Sequence, residues 1–213
     1  MCLMSAIYLV RHGESEMNVV PRLSHRLADL PLTERGHQQA RLLAARLAEH
    51  RLAAIVTSPL QRARQTAAYI AERTGAPVQV TDALREINCG DLDGRGDEEA
   101  WAATREIYRC WDRGEWETSF PGGESYRQLY ERLTGVVQEV VKTHPDDDVA
   151  VVGHGGLFWF VLPRFCGLPL ESRTELLNTS VTVLRHHDGE IACDLWGCTT
   201  HLGPETAPRS HIV

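Results

Sequence analysis

Residues 7–18 read IYLVRHGESEMN, an apolar run that stops at an arginine and a histidine set side by side. The run AIYLV (6–10) suits a strand buried on both faces, because a parallel strand covered by helices shows no polar alternation. A cation at the buried end of such a strand needs an anion to meet it. The stretch therefore sets two expectations at once: a parallel sheet, and an anion held where its strand ends.

The chain beyond it alternates strand and helix patterns, as an α/β sheet with helices on both faces requires. LTERGHQQARLLAARLAEH (32–50) is predicted as a helix capped by Thr33, with Ala40, Leu43, Ala44 and Leu47 on one face. LAAIVT (52–57) is the next strand. SPLQRARQTAAYIAERTG (58–75) is the next helix, with Ser58 at the N-cap, Pro59 at the first helical position and Gly75 at its end. APVQV (76–80) is a third strand. Residues 91–121 break the rhythm and read as a small inserted helical flap. A long amphipathic helix over 124–145, ended by Pro145, leads to the strand DVAVVGHGG (148–156) and a further helix from about Gly156. NTSVTVLRHHDGEIACDLWG (178–197) reads as a hairpin turning at Asp188 and Gly189. With 213 residues the chain is expected to be one domain, 1–213, carrying the flap as an insertion.

Three predicted strands end in residues suited to anions: Arg11-His12, Ser58 through Arg62, and His154. In open parallel sheets ligands sit beyond the carboxyl ends of the strands, so these distant positions are expected to meet. Arg62 also lies in the first turn of a helix, where the backbone dipole favours negative charge. Two guanidiniums and two imidazoles make a pocket for a phosphate dianion. An imidazole free at one nitrogen can attack phosphorus and carry the phosphoryl group, which makes His12 the candidate nucleophile. The arginines would hold phosphate oxygens by charge-assisted hydrogen bonds worth about 1.5–3 kcal/mol each. His154, if protonated, adds a third cation. The leaving alkoxide needs a proton and the second step needs a water deprotonated, which one carboxyl can do in turn. Glu86 is best placed for this by the topology; spacing leaves Glu14, Asp91 and Asp93 as rivals.

Composition narrows the classes. A net charge of −7 argues against general nucleic-acid binding. It leaves room for a small anionic substrate, because distant surface carboxylates are screened by salt whereas contacting arginines are not. The longest apolar stretch, LFWFVLPRFCGL (157–168), is broken by Pro163 and Arg164 and is too short to span a membrane. The first residues do not read as a secretory signal, so the cytoplasm is the expected location. Six cysteines contain no CxxC pair and are read as buried or incidental thiols. No aspartate cluster suggests a metal, and neither metal nor cofactor is expected. Cys193, Cys198 and His201, with His186 and His187 upstream, are the weak alternative of a zinc site at an unusual spacing.

Six stretches, in order, carry a resemblance: LVRHGESEMN, PLTERGHQQA, TSPLQRARQTA, LREINCGDLDG, FPGGES and VVGHGG. Together they resemble the histidine phosphatase superfamily, in its phosphoglycerate mutase-like branch, over most of residues 5–160. The resemblance implies a phosphohistidine at His12, phosphate contacts from Arg11, Arg62 and His154, and Glu86 as proton donor. It also implies lesser pocket roles for Ser15 and Asn18, a mostly parallel sheet with one antiparallel edge strand, and a flap that selects substrates. Gly155, beside His154, is counted with the phosphate-binding set. Two departures stand out. PRLSHRLADLPLT (21–33) places His25 or Arg26 where relatives have a glycine, and Asp93 stands where a glutamate is commoner.

A metal-independent phosphomonoesterase acting on a small phosphorylated metabolite is the expected function. The alternatives are mutase-type transfer and a non-catalytic phosphate-recognition module. The short insertion, with Arg95, Arg105, Arg109 and Arg113 dispersed along it, favours the phosphatase. Other readings stay open beside each role. Arg62 competes with Arg64, Glu86 could pair with Arg85 or Arg127, Ser15 could cap a helix, and Asn18 could satisfy backbone. Trp101, Tyr108, Trp111, Trp116 and Phe120 either grip an apolar part of the substrate or fasten the flap to the sheet. No nucleic-acid or membrane partner is expected, and pairing of two chains through an apolar sheet edge is left open.

Overall fold

Alternation decides how the sheet is covered. In a computed structural model, which describes residues 5–20, 22–23, 29–187 and 190–207, six strands form one sheet in the order β3-β2-β4-β1-β5-β6. These are β1 (Ser5–Arg11), β2 (Leu52–Thr57), β3 (Val78–Val80), β4 (Asp148–Gly153), β5 (Val181–His187) and β6 (Glu190–Cys198). β3, β2, β4 and β1 pair in parallel, and the hairpin β5–β6 closes one edge with antiparallel pairings, β5 running against β1. The expected antiparallel strand is thus β5, with β6 outside it. The residues at its turn, Asp188 and Gly189, lie outside those described, as do His25 and Arg26.

Successive side chains of a strand point to opposite faces. Ile7, Leu9, Val149 and Val151 join one core with α4 (Glu98–Asp112), α5 (Tyr126–Thr143) and α6 (Gly155–Phe165). Ala6, Tyr8, Val10, Ala150 and Val152 join the other, with α2 (Glu34–Leu47) and α3 (Gln61–Thr74). The result is three layers. The Thr33 side chain accepts from Gly36 N–H and starts α2, whose face Ala40, Leu43, Ala44 and Leu47 is buried. Burying Leu43 and Leu47 contributes about 1.5–3 kcal/mol each. α1 (Glu16–Val19) is a single turn.

One expected cap is corrected. α3 starts at Gln61 after Leu60, so Ser58 and Pro59 precede the helix. The Ser58 hydroxyl is instead engaged by His154. Gly75 ends α3 in the left-handed conformation, as its position predicts. No helix among the described residues is long and apolar enough to cross a membrane.

Candidate active site

Register brings the reactive residues together. β1 and β4 pair with Arg11 opposite Gly153, so His12 and His154 leave the sheet from adjacent positions, and His12 N–H donates to the Gly153 carbonyl at 3.0 Å. β2 pairs with β4 up to Thr57–Val152, and Ser58 N–H donates to the Val152 carbonyl. α3 follows within four residues and puts Arg62 in its first turn. Three strands therefore end at one level, with the two imidazole centroids 5.1 Å apart.

His12 is buried, and its two nitrogens have different partners. Nδ1 lies 2.7 Å from the Gly13 carbonyl, which can only accept, so Nδ1 carries the hydrogen. Nε2 receives a hydrogen bond from Arg62 Nε at 3.1 Å and so presents its lone pair. Burial, then the charges of Arg62 and Arg11, push His12 well below its usual value, 6.5. At neutral pH it is an uncharged imidazole with a lone pair facing a guanidinium. That is the state a phosphorus nucleophile needs.

Burial lowers the Arg62 guanidinium to about 10, which still leaves it charged at neutral pH. Burial also lowers Arg11, against the opposing pull of Glu86 and Glu175. Arg11 Nη1 donates to the Leu176 carbonyl, while its Nε has no hydrogen-bond partner among the described residues. Arg64, the competitor of Arg62, is exposed. His154 Nε2 sits 2.8 Å from Ser58 Oγ, and Nδ1 is buried without a partner among the described residues. Burial, Arg62 and His12 push His154 well below 6.5, so the third cation conditionally expected there is instead a neutral ring in this structure.

Glu86 reaches the same cluster from the segment after β3. Its carboxylate accepts the N–H groups of Ile87, Gly156 and Leu157 at 3.0, 3.0 and 2.8 Å, two of them from the first turn of α6. Arg85 and Arg127, its proposed structural partners, pair with Asp82 and Glu117 instead. Of the rivals, Glu14 is buried against Thr33, and neither it nor Asp91 nor Asp93 lines the cavity beside His12. A residue the sequence did not single out fixes the Glu86 segment. Arg132 on α5 donates to the carbonyls of Ala83, Arg85 and Glu86 and to both oxygens of Glu124.

Two pairs of glycines stand at close approaches, the first against backbone and the second against side chains of the site. A Cβ on Gly13 would stand 2.7 Å from the Gly36 carbonyl oxygen, and one on Gly36 would stand 1.9 Å from the Glu14 oxygen, so the RHGES turn packs backbone to backbone on α2. A Cβ on Gly155 would meet Arg11 Nε at 3.0 Å, and one on Gly156 would meet Glu86 Oε1 at 2.9 Å. Gly155 thus gives the guanidinium its room. Ser15 is fully buried at the start of α1, where its N–H and hydroxyl both donate to Asn18 Oδ1. Asn18 lines the cavity; Ser15 does not. Asn178, also unforeseen, donates from Nδ2 to the His12 carbonyl and to Asn18 Oδ1. Thr66 and Gln39 accept from the N–H groups of Gly13 and Glu14. These residues look like ordinary helix polar positions in sequence, and only the fold shows what they hold.

The reactive cluster is one end of a cavity of about 570 Å³. Its farther walls come from α4, from α6 and from the segment before β5. The flap aromatics divide. Trp111 and Phe120 are buried in a connected ring cluster with Tyr108, Tyr126 and Phe160, and Trp116 packs on Tyr126 and Tyr130, so these fasten the flap. Trp101 and Tyr108 line the cavity. Arg105 and Arg109, expected to be dispersed, lie one helical turn apart on the same wall, while Arg95 and Arg113 pair with Asp97 and Glu115 elsewhere. Among the described residues no group of three or more His, Cys, Asp or Glu is arranged to hold a metal. Cys198 and His201 are engaged by Arg46.

A neutral imidazole with its lone pair beside an arginine, a second arginine next to it and a carboxylate on the same cavity form an arrangement that suits phosphoryl transfer. The family profile of the histidine phosphatase superfamily (branch 1) matches residues 7–199, and the chain belongs to that superfamily. It is an enzyme of the histidine phosphatase type. It is 35% identical over 201 residues to phosphoglycerate mutase-like protein 4 of Arabidopsis thaliana, covering 92% of this chain and 86% of that one. It is 34% identical over 200 residues to a metal-independent phosphoserine phosphatase of the same plant, covering 92% and 82%. The solved structure of a mycobacterial glucosyl-3-phosphoglycerate phosphatase superposes with a TM-score of 0.79 at 30% identity, covering 92% of this chain and all of that one.

Proposed function

We propose that the chain is a metal-independent phosphomonoesterase that hydrolyses a small phosphorylated metabolite through a phosphohistidine at His12. The observation that carries this is the state of His12: hydrogen on Nδ1, held by the Gly13 carbonyl, and lone pair on Nε2 beside the Arg62 guanidinium. In the first step Nε2 attacks phosphorus, the ester P–O bond breaks, and the departing alkoxide takes a proton from Glu86, which enters the step as the neutral acid and leaves it as the carboxylate. In the second, water attacks the phosphorus of the phosphohistidine, Glu86 takes the proton of the water, and the P–N bond breaks to return the electron pair to Nε2 and release phosphate. Arg11 and Arg62 hold the phosphoryl oxygens throughout, and their charge serves the role a metal ion has in other phosphatases. The Asn18 amide adds a contact from the cavity wall. His154, which does not line the cavity but has its ring centroid 5.1 Å from that of His12, offers its Nδ1 once the phosphoryl group is bound.

Turnover of p-nitrophenyl phosphate tests the reading. The enzyme should hydrolyse it without loss to a chelator, and should carry an acid-labile phosphoryl group that His12→Ala lacks. His12→Ala should lower turnover by about 10³-fold or more, since removal of a nucleophile leaves only binding and charge stabilisation. Inhibition by chelation, or a labelled His12→Ala, would refute it. Arg105 and Arg109 on one cavity wall favour a second reading, transfer within a phosphorylated acid. Formation of 2-phosphoglycerate from 3-phosphoglycerate, with a trace of bisphosphoglycerate, would establish that reading instead.

A further inference from the structure

The reactive end of the cavity takes a phosphoryl group; the remainder of its 570 Å³ is of a size that accommodates ligands far larger than a three-carbon acid. Its composition is specific. Met17, Leu23, Ile87 and Leu176 give an apolar lining, and Trp101, Tyr108, Trp159 and Phe160 give it flat aromatic surface. Two of these rings are committed to the fold: Tyr108 and Phe160 pack on each other, tilted, with centroids 4.4 Å apart. Trp159 carries the Arg173 guanidinium over its ring at 3.8 Å, and Arg173 is tied to Asp112 and to the Leu170 carbonyl.

Trp101 differs from all of them. It sits at the start of the flap helix and packs on the edge of the core, but no aromatic ring among the described residues stacks on it. Its indole N–H has no acceptor among the described residues, whereas those of Trp111 and Trp196 donate to the carbonyls of Thr118 and Thr174. Arg105 follows one turn later on the same wall, paired among the described residues with the exposed Glu98 alone. A large ring with a face and a polar edge uncommitted, on the wall of a phosphate pocket, is suited to binding another ring.

We propose that Trp101 selects the substrate by stacking on a planar or ring-shaped part of the leaving alcohol, so that the enzyme acts on phosphomonoesters of ring-bearing alcohols in preference to short aliphatic ones. The ring lies against Trp101 beyond the phosphate, and Arg105 meets a polar or acidic substituent on it. This rests on the phosphatase reading above. The chemistry of the step is unchanged; only the alcohol that receives the proton from Glu86 is specified.

The test compares two esters whose alcohols leave equally poorly, 2-(1-naphthyl)ethyl phosphate and ethyl phosphate. The wild type should show a kcat/KM about tenfold or more higher for the naphthyl ester, carried mostly by KM. Trp101→Ala should remove most of that ratio, and Trp101→Phe should restore much of it. Binding of the matching phosphonates, 2-(1-naphthyl)ethylphosphonate and ethylphosphonate, gives a second readout that needs no turnover. Equal kcat/KM for the two esters in the wild type, or equal loss on both in Trp101→Ala, would overturn the proposal. Loss of p-nitrophenyl phosphate turnover with the phosphonate preference intact would instead overturn the phosphatase reading and leave the ring subsite standing.

Discussion

Replacing Arg132 by methionine removes five hydrogen bonds at one stroke while keeping much of the side-chain length. Two of them reach Glu124, whose side chain is only 10% exposed, and three reach the carbonyls of Ala83, Arg85 and Glu86. Removing one partner of a buried ion pair costs about 3–5 kcal/mol, because the other charge is left without compensation. Arg132 is itself 18% exposed, so the lower end, about 3 kcal/mol, is the appropriate figure. In a chain of this length that lowers Tm by about 6–12 °C, readable by scanning calorimetry. The catalytic consequence is separable from the loss of stability. Glu86 is needed only where the leaving group must be protonated, and a nitrophenolate leaves without a proton. Arg132→Met should therefore lower kcat/KM for ethyl phosphate at least tenfold more than for p-nitrophenyl phosphate, in the same sense as Glu86→Gln. Equal losses on the two esters, or a Tm within about 2 °C of wild type, would refute the assignment of Arg132 as the residue that positions Glu86.

Acid should destabilise the protein through its own active site. His12 and His154 are both held well below 6.5 by burial and neighbouring arginines, so below that pH the unfolded chain binds protons that the folded chain refuses. Stability then rises with pH through this window and is lost as pH falls below about 6.5, by up to about 1.4 kcal/mol per pH unit for each histidine. Thermal scans between pH 7.5 and 5.5 should show the loss, and His154→Gln should reduce it; an unchanged slope in that variant would contradict the assignment. The glycines should separate function from folding. In Gly156→Ala the added carbon meets the far end of the Glu86 side chain, so activity should fall about tenfold or more with little change in Tm. In Gly36→Ala it meets the Glu14 backbone, so the protein should be destabilised by several kcal/mol, about as overpacking a rigid site costs.

Much of this was legible because local chemistry and tertiary context agree. β2 runs Leu52–Thr57 as its apolar pattern demands, and Thr33 caps α2 because its hydroxyl has an orphan N–H within reach. Arg11, His12, Arg62 and His154 were brought together by a topological rule, because each sits at a strand end or in the first helical turn after one, whereas Glu86 stands in the loop after β3 and was preferred to its rivals mainly on the resemblance. Residues acting from the middle of a helix were not found. Arg132 and Gln39 occupy positions where a charged or amide side chain ordinarily faces water, and nothing in their neighbours tells that a carbonyl or N–H from a distant loop arrives there. Ser58 misled for the opposite reason: the motif Ser-Pro before a helix signals a cap, but the hydroxyl accepts from Leu60 N–H ahead of the helix and pairs with His154 just past β4. Arg105 and Arg109 read as dispersed because spacing four apart is visible only once the helix and its buried face are known.

β1 is the strand where the direction of the sheet reverses: β4 runs with it on one side and β5 against it on the other. The chain entering β5 therefore arrives at the same end of the sheet that the parallel strands leave. Arg173, Glu175 and Leu176 line the cavity on that account, and Asn178 reaches the His12 carbonyl from the same segment. Had β5 been parallel, its approach would have lain at the opposite end, some six residues of strand away from His12. The reversal gives the enzyme a second wall whose last residues brace the nucleophile's strand end, because Thr179 N–H donates to the carbonyls of Arg11 and His12 and Asn178 holds the latter as well.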